Sequence, residues 1–582
     1  MKENVIYQKN DVSEASPANV DNSGVGPGAN GISYIPADTT LSPDFDDLLS
    51  FYLQVLSYDQ KEIISPIYVD ELASKFALLY EKLRIIIDWK EEHLIRRTAI
   101  DRALKRRMIS KLSGISLTSG IEGKKLALPL IMELIRGGHF PNGRIPKSVI
   151  PQIEKVLKKY IYILSYSEVQ KKLSPLAVAV KVQFYNWVLE FASCEIEEVL
   201  DPPLKEAALI NFMTRLMNSR IHIFPHDAIS DEDKLVQIHI AVHRTLFNLD
   251  APIITYALLK HRYPGWTKHD PDVVKDFSEN AIEVWGVIND ELSHKLSPEF
   301  FKVCEKYDAA YLILGDVLKK LLETPEKIAE KVGDRKKFRG VITEVYEKRF
   351  STLSSRLRRS AIYSTLSVFL AGGLSLFIFE VPLARYFYGE FSSTAIAVDI
   401  AIPCILMFIL VLVIRPAGKG NFERVVEEIE KIVYKTDRED VYDMLVNQKQ
   451  KLVKNIIFGL FYLIGGTASF AFTFWIFYIA NVPWTSLYVD TANVAVIVFA
   501  ALVIRQRSKE ITIEEKATFG DFLIDVFSIP MGKLGQWLAN KWKEYNVLSV
   551  FFTIIVDIPI LAIVEIIEDW RTFIKDQKAG IH

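Results

Sequence analysis

Two histidines have the clearest metal-binding spacing in this 582-residue chain. His239 and His243 stand four residues apart, which on a helix puts both imidazole rings on one face, as zinc sites can require. The pattern Ser230-x-x-Asp233 predicts that a capped helix begins just before them. The residues between the two histidines are apolar and include no glutamate, so the sequence favours histidines at the edge of a core over a metal-dependent hydrolase. Further ligands could come from His222, His226, Asp227 and Glu232.

Other catalytic signatures are missing from the sequence. It contains no phosphate-binding loop, no dinucleotide-binding glycine turn, no nucleophile elbow and no kinase signature. Cys194, Cys304 and Cys404 are far apart and form no CxxC pair, so each is expected to be a small buried residue. We therefore predict no catalytic residue, no cofactor and no metal ligand, and an enzyme is the less favoured class.

Two acidic residues, Asp399 and Asp490, fall within apolar stretches, where an acid is by default a functional-site hypothesis. Each precedes the arginine that ends its stretch, Arg415 or Arg505, by roughly 22–24 Å of helix. In a hydrocarbon core about 30 Å thick, this distance predicts a position near the outer boundary. The two acids are then expected at helix starts, where the helix dipole favours their charge. A transport pathway through Asp399 and Asp490 is the alternative.

A basic segment lies in the soluble part of the chain. Apolar residues at three- and four-residue spacing predict one long helix over about 69–112. Its second half is basic at Arg96, Arg97, Arg102, Lys105, Arg106, Arg107 and Lys111. The favoured interpretation is a solvated face with a few acidic partners, and contact with anionic lipid is the alternative. Nucleic acid is not favoured, because neither interleaved aromatic residues nor a known module accompanies the charges.

Four apolar stretches after residue 360 are long enough to cross a membrane, which takes about 20 residues. They are 361–379, 394–414, 456–480 and about 486–504. A fifth stretch, 547–564, contains Asp557 and Pro559 and could span the membrane or lie at its interface. The start of the chain has no apolar core of a signal peptide.

The basic residues beside these stretches predict their orientation, since cytoplasmic loops are rich in Lys and Arg. Basic residues occur before the first and third stretches and after the second and fourth. They are Arg356, Arg358, Arg359, Arg415, Lys419, Lys449, Lys451, Lys454, Arg505, Arg507 and Lys509. The short loops 381–391 and 481–490 contain one basic residue, Arg385. We therefore predict a multi-pass protein of the cytoplasmic (inner) membrane with a cytosolic N-terminal domain.

The two predicted hairpins resemble each other. In both, a glycine pair is followed by Val-Pro, then by Val-Asp, then by Leu-Val-Ile-Arg, in the same order. The glycine pairs are Gly372–Gly373 and Gly465–Gly466, and small residues let membrane helices approach closely. We therefore expect an internal duplication in which the first and third spans meet at these glycines.

The sequence thus predicts an all-α fold with a polytopic α-helical membrane domain built from two similar transmembrane hairpins. The predicted parts are a disordered tail (1–44), a cytosolic α-helical region that could form two subdomains (45–355), hairpin 1 (356–420), a cytosolic helix with hairpin 2 (421–510), and amphipathic or interfacial helices (511–582). No known family is recognised.

The predicted function is argued mainly by elimination. We expect a membrane-anchored helical scaffold that binds a protein partner through its cytosolic helices and could form homo-oligomers. A small-solute transporter or channel subunit is the alternative, and a membrane-tethered metal-dependent hydrolase that uses His239 and His243 is the second alternative.

Overall fold

The computed structural model is helical throughout most of the residues that it describes. These residues are 41–59, 64–70, 94–112, 123–173, 176–226, 228–375, 401–402, 404–409, 420–434, 441–445, 448–479, 484–513, 519–545 and a few isolated positions. The prediction of an all-α protein is confirmed, since the described residues add only two four-residue strands to the helices. Most of the predicted tail, and the fifth apolar stretch 547–564, lie outside the described residues.

The helices follow one another with short connections. The first part contains α1 (Pro43–Asp59), α2 (Ile95–Leu112), α3 (Gly123–Arg136), α4 (Ile150–Ser165), α5 (Ser167–Leu173), α6 (Val178–Leu200), α7 (Leu204–Arg220), β1 (Ile221–Phe224), α8 (Asp231–Leu246), α9 (Ala251–Arg262), α10 (Pro271–Leu292), α11 (Ser297–Glu305), α12 (Asp308–Leu322) and α13 (Ile328–Gly333). The second part contains α14 (Arg335–Ser375), α15 (Gly420–Val433), β2 (Tyr442–Leu445), α16 (Gln448–Ile479), α17 (Trp484–Ser508) and α18 (Phe519–Tyr545).

Local sequence explains where several helices start. Ser230 caps α8 by accepting the backbone N–H of Asp233 at 3.0 Å, so the predicted capped helix start is confirmed. Asp270 accepts the N–H of Asp272 at the start of α10, where Pro271 occupies the first turn. A proline is tolerated there because the first N–H groups of a helix have no partner within the helix.

One of two large buried clusters, here called the junction core, collects segments that are far apart in sequence. It takes apolar side chains from α1, α7, α8 and α11–α14, and also from α15, β2 and the residues that follow α17. The last group includes Val425, Ile429, Met444, Ile511 and Ile513. Residues before α16 and residues after α17 therefore share one hydrophobic core.

The other cluster, here called the second core, is formed by α2–α6, α9 and α10 around the buried Trp266. Edge-to-face aromatic contacts dominate its centre, with the rings of Trp266 and Phe277 4.9 Å apart. Helix α8 contributes Ile238 to the junction core and Ile240 to the second core, so this helix connects the two.

The predicted long helix over 69–112 is wrong at its start. Residues 67–70 are not helical, and the backbone N–H of Ile67 donates to the carbonyl of Ile145 at 2.8 Å. The Asn142 side chain accepts the N–H of Val69 and donates to its carbonyl, which holds this segment extended. Helix α2 covers only Ile95–Leu112, and most of 71–93 lies outside the described residues.

A two-stranded parallel sheet joins distant parts of the junction core. Ile221 lies opposite Tyr442 and Phe224 opposite Leu445. The cytosolic helix predicted ahead of hairpin 2 corresponds to α15, and strand β2 separates it from α16. The pairing satisfies backbone groups that a helix would have bonded internally.

Two helical stretches, Ile456–Ile479 in α16 and Asp490–Ser508 in α17, have the length and apolarity needed to cross a membrane. Only 17% of the first stretch is buried, whereas the core helix of a soluble protein would be mostly buried. Of the predicted first hairpin, the end of α14 and a few positions near residue 405 are described, so the duplication stays a prediction.

Helices α16, α17 and α18 pack together and are here called the apolar bundle. Phe477, Val494, Val498 and Met531 form its small buried centre. Helix α18 runs antiparallel to α17, as shown by the neighbours of its Gly532 and Gly535. It runs parallel to α16, as shown by the neighbours of Gly465 and Gly466 on α16 and by the ring contact of Phe461 with Phe522. Its main contacts are thus with the two long apolar helices.

The glycine pair Gly465–Gly466 lies against α18. A Cβ on Gly465 would lie 2.4 Å from the carbonyl oxygen of Val526, and one on Gly466 would lie 3.2 Å from Pro530. The side chains around Gly372–Gly373 lie outside the described residues, so the meeting of the first and third spans stays a prediction. Small residues allow helices to approach closely, but the glycine pair in the sequence did not identify α18 as a neighbouring helix.

We predict that Gly535→Ala destabilises the apolar bundle, because the added Cβ would lie 2.0 Å from the carbonyl oxygen of Ala495. Overpacking of this kind costs about 1–3 kcal/mol of unfolding free energy. Thermal unfolding of the full-length protein in detergent measures the effect. Gly459→Ala is the matched control, since nothing lies within 4 Å of its added Cβ. Equal unfolding midpoints for the two variants would show that α18 does not pack tightly on α17.

Candidate functional site

The histidine pair lies on α8, between the two cores. The rings of His239 and His243 are 4.2 Å apart, and His243 Nδ1 lies 2.8 Å from the carbonyl oxygen of His239. Burial lowers the pKa of both imidazoles, that of His243 to about 4 and that of His239 well below its ordinary value. Both rings are therefore neutral at physiological pH, which is the protonation state of a metal ligand.

The surroundings of the pair do not complete a metal site. Within the residues that the structure describes, no group of three His, Cys, Asp or Glu side chains could hold a metal ion. His222, His226 and Glu232 are exposed, on β1, just after it and in the first turn of α8, respectively. Asp227 lies outside the described residues. A zinc ion needs at least three protein ligands, so the described residues do not support the hydrolase hypothesis.

The basic face of α2 is paired within the protein. Its ion pairs are Arg96 with Asp201, Arg97 with Asp250, Lys105 with Asp101 and Glu190, and both Arg106 and Arg107 with Glu133. Arg97 is buried, with 3% of its surface exposed. These contacts use the charges that a lipid or nucleic-acid surface would need, and they support the interpretation of a face with acidic partners.

A buried charged network in the second core was not foreseen. The Lys159 ammonium contacts both carboxylate oxygens of Glu195 at 2.7 Å, and Glu195 also accepts from Tyr160 at 2.5 Å and from Trp266 Nε1 at 3.1 Å. Lys159 donates further to the carbonyl of Trp266 at 3.1 Å. Burial lowers the pKa of Lys159, and the adjacent carboxylate opposes that shift.

This network fits a structural role. The donors around Glu195 come from α4 and from the Trp266 turn, so the network fixes these elements against α6. A buried pair that is hydrogen-bonded on all sides has little capacity left for a substrate, whereas removing one partner leaves an uncompensated charge. The sequence feature that could have indicated this network is the presence of Lys159 and Glu195 on otherwise apolar helical faces.

Of the two acids in apolar stretches, Asp399 lies outside the described residues. Asp490 is not at a helix start, because α17 begins at Trp484 and Asp490 falls in its second turn. Only 1% of its surface is exposed, and it lies one turn before Val494 of the bundle centre. The predicted position at the helix start is therefore wrong, whereas the predicted depth near the outer boundary of a membrane stays a prediction. The sequence pattern could not show this burial.

An open groove runs between α16 and α18 on the surface of the apolar bundle. Its volume is about 1080 Å³. The described lining residues are Tyr462, Leu463, Gly466, Thr467, Phe470, Ala471, Phe474, Trp475, Tyr478, Pro530, Lys533 and Leu534. Lys533 is the one charged residue among them, and its ammonium lies 5.2 Å from the ring centroid of Tyr462.

The junction between the apolar bundle and the junction core depends on Asn421, at the start of α15. This side chain is fully buried. Its amide donates to the hydroxyl of Tyr346 at 3.0 Å and to the carbonyl of Ile511 at 2.6 Å, and its oxygen accepts the N–H of Ile513 at 2.7 Å. One amide thereby fixes α14, α15 and the segment after α17 to each other.

Three ion pairs, made by two arginines, strengthen this junction. Arg349 on α14 pairs with Asp316 on α12 and with Glu510 just after α17, the latter at 2.7 Å. Arg220 at the end of α7 pairs with the buried Glu428 of α15 at 3.4 Å. These contacts connect α7, α12 and α14 with segments on both sides of α16 and α17. The hydrogen bonds and ion pairs thus join the apolar bundle to the helical cores. We take the junction together with the groove as the candidate functional site.

Comparisons of the chain with protein-family models, with curated proteins and with solved structures gave no match, so its function is argued from its own geometry.

We predict that acid weakens the protein through His239 and His243. Unfolded histidines bind protons near pH 6.5, whereas the folded pair binds them only at lower pH. The unfolded state therefore takes up more protons as the pH falls from about 6.5 to 4, and the unfolding free energy decreases over this range. Denaturant unfolding at several pH values should show a smaller decrease for His239→Gln/His243→Gln than for the unaltered protein.

The matched control for this pH experiment is His226→Gln, which changes an exposed histidine. It should retain the full acid-induced loss. If the double variant loses as much stability between pH 7 and pH 5 as the unaltered protein, the two histidines are not held neutral by burial.

Proposed function

We propose that this chain is a multi-pass protein of the cytoplasmic membrane that presents its helical cores in the cytosol as a scaffold for a protein partner. The observation that carries the proposal is the shared junction core. Segments on both sides of α16 and α17 are built into the same core as α1, α7 and α12. The helical cores are thus part of one unit with the apolar bundle.

Membrane insertion is supported by the exposed apolar surface of α16. Its outward side chains include Ile456, Phe458, Leu463 and Trp475, each more than half exposed. A continuous apolar surface of this size is unfavourable in water and favourable in lipid. Helix α16 has 32 residues, roughly 48 Å of helix, which is enough to cross a core of about 30 Å.

The junction core supports a hairpin topology. Helix α16 starts three residues after β2, and α17 ends three residues before Ile511, so both connect to the junction core at the same end. A helix that leaves this core and a helix that returns to it form a hairpin. Helix α14 likewise leaves the core and α15 lies within it, which supports a first hairpin through 376–419.

Charge supports the cytosolic side for this common end. Basic residues flank the junction ends of the long helices, with Arg356, Arg358 and Arg359 on α14 and Arg505 and Arg507 on α17. The positive-inside rule then places the helical cores in the cytosol.

A partner surface is available on the second core, away from the junction. Leu176, Val178 and Val182 are exposed at the start of α6, with 74% of the Val178 surface accessible. Clustered exposed apolar side chains are typical of interaction surfaces. Because the basic face of α2 is already paired, we favour a protein over a nucleic acid as the partner.

We predict that the full-length protein, purified in mild detergent from native membranes, retains a stoichiometric protein partner. Val178→Glu/Val182→Glu should lose most of this partner, because the interface would have to bury two carboxylates. Mass spectrometry of the co-purified proteins measures the ratio. The control is Val287→Glu, an exposed valine on α10, which should retain the partner. A protein that is purified alone would contradict the scaffold proposal.

A further inference from the structure

The groove between α16 and α18 is shaped for an elongated apolar ligand. The two helices are in contact where Gly465 and Gly466 lie against Val526 and Pro530. Beyond this contact the groove is lined by Phe470, Phe474, Trp475 and Tyr478 of α16. From Tyr462 to Tyr478 the lining covers roughly 24 Å of helix, most of the thickness of a hydrocarbon core.

The aromatic lining is open to the side. Phe474 is 47% exposed, Trp475 56% and Tyr478 72%. If α16 is inserted in a membrane, these surfaces face acyl chains. The groove is therefore accessible to lipid from within the bilayer without any movement of α16 or α18.

Lys533 supplies a positive charge within this apolar lining. Its side chain is exposed, and its ammonium lies over the ring of Tyr462, which is more than two turns before Phe470 on α16. Side chains on a helix lean towards its N-terminus, and the N-terminus of α18 is at the junction end. The ammonium therefore points towards the cytosolic boundary, as expected for a snorkelling lysine.

The depth of Lys533 fits a lipid headgroup. It lies eight residues, roughly 12 Å of helix, beyond Asp525, which pairs with Arg505 at the basic end of α17. A lysine side chain directed back towards that end brings its ammonium close to the phosphate level of the cytosolic leaflet. A second protein helix in this groove would have to cover the ammonium, whereas an anionic phospholipid would neutralise it.

We propose that the groove is a binding site for an anionic phospholipid of the cytosolic leaflet. The acyl chain lies along Phe470, Phe474 and Trp475, and the headgroup phosphate accepts from the Lys533 ammonium. The cation–π contact with Tyr462 holds the ammonium at the mouth of the groove. This inference rests on the membrane placement proposed above.

The test measures lipid binding to the full-length protein in detergent, by native mass spectrometry and by the shift in unfolding temperature on adding phosphatidylglycerol or phosphatidylcholine. Phosphatidylglycerol should bind more tightly than phosphatidylcholine. Lys533→Gln should weaken phosphatidylglycerol binding about fivefold, as expected for one lysine near an anionic headgroup. Lys509→Gln, which removes an exposed lysine at the end of α17, should leave binding unchanged.

A second variant tests the apolar part of the groove. Ala471→Trp adds bulk to the lining and should reduce the binding of both lipids, irrespective of their headgroups. If Lys533→Gln and Ala471→Trp both bind phosphatidylglycerol like the unaltered protein, the proposed site is wrong.

Extraction of membranes at alkaline pH separates this failure from a failure of the proposed function. A protein that stays in the membrane fraction but shows no effect of Lys533→Gln contradicts the lipid site alone. A protein that alkaline extraction releases contradicts both the membrane placement and the lipid site.

Discussion

The buried amide of Asn421 is the interaction on which the organisation of this protein depends most. Its three hydrogen bonds connect Tyr346 of α14 with the backbone at Ile511 and Ile513, after α17. An amide buried without these partners would cost about 1–3 kcal/mol per unsatisfied group, so the three segments are constrained to meet. The apolar bundle and the helical cores are therefore coupled through the ends of their helices. A displacement of α16–α18 relative to the cores has to break the hydrogen bonds of Asn421 or the ion pairs of Arg349.

Sequence reasoning predicted those features that depend on neighbouring residues. The helical class follows from apolar periodicity, and the start of α8 follows from Ser230 and Asp233. The length and apolarity of α16 and α17 were also readable. The sequence suggested, in addition, that α2 would have acidic partners, although it could not name them.

The features that sequence reasoning missed depend on contacts between distant segments. Val69 is extended because Asn142 bonds both of its backbone groups, and β2 forms because β1 is available for pairing. Asp490 is buried within the packed apolar bundle. The groove at Lys533 likewise exists only when α16 and α18 run side by side. No periodicity within one helix contains this information, since it depends on which other helix lies beside it.

The most direct test of the account asks whether the segments on both sides of α16 and α17 lie on one side of a membrane. Single cysteines at Asn481, Val441 and Lys509, in a chain with Cys404 replaced by serine, can be labelled with a membrane-impermeant maleimide. The remaining cysteines, Cys194 and Cys304, are buried. The account predicts labelling of Asn481→Cys in intact cells, and labelling of Val441→Cys and Lys509→Cys only after permeabilisation. Labelling of Val441→Cys or Lys509→Cys from outside intact cells would contradict it.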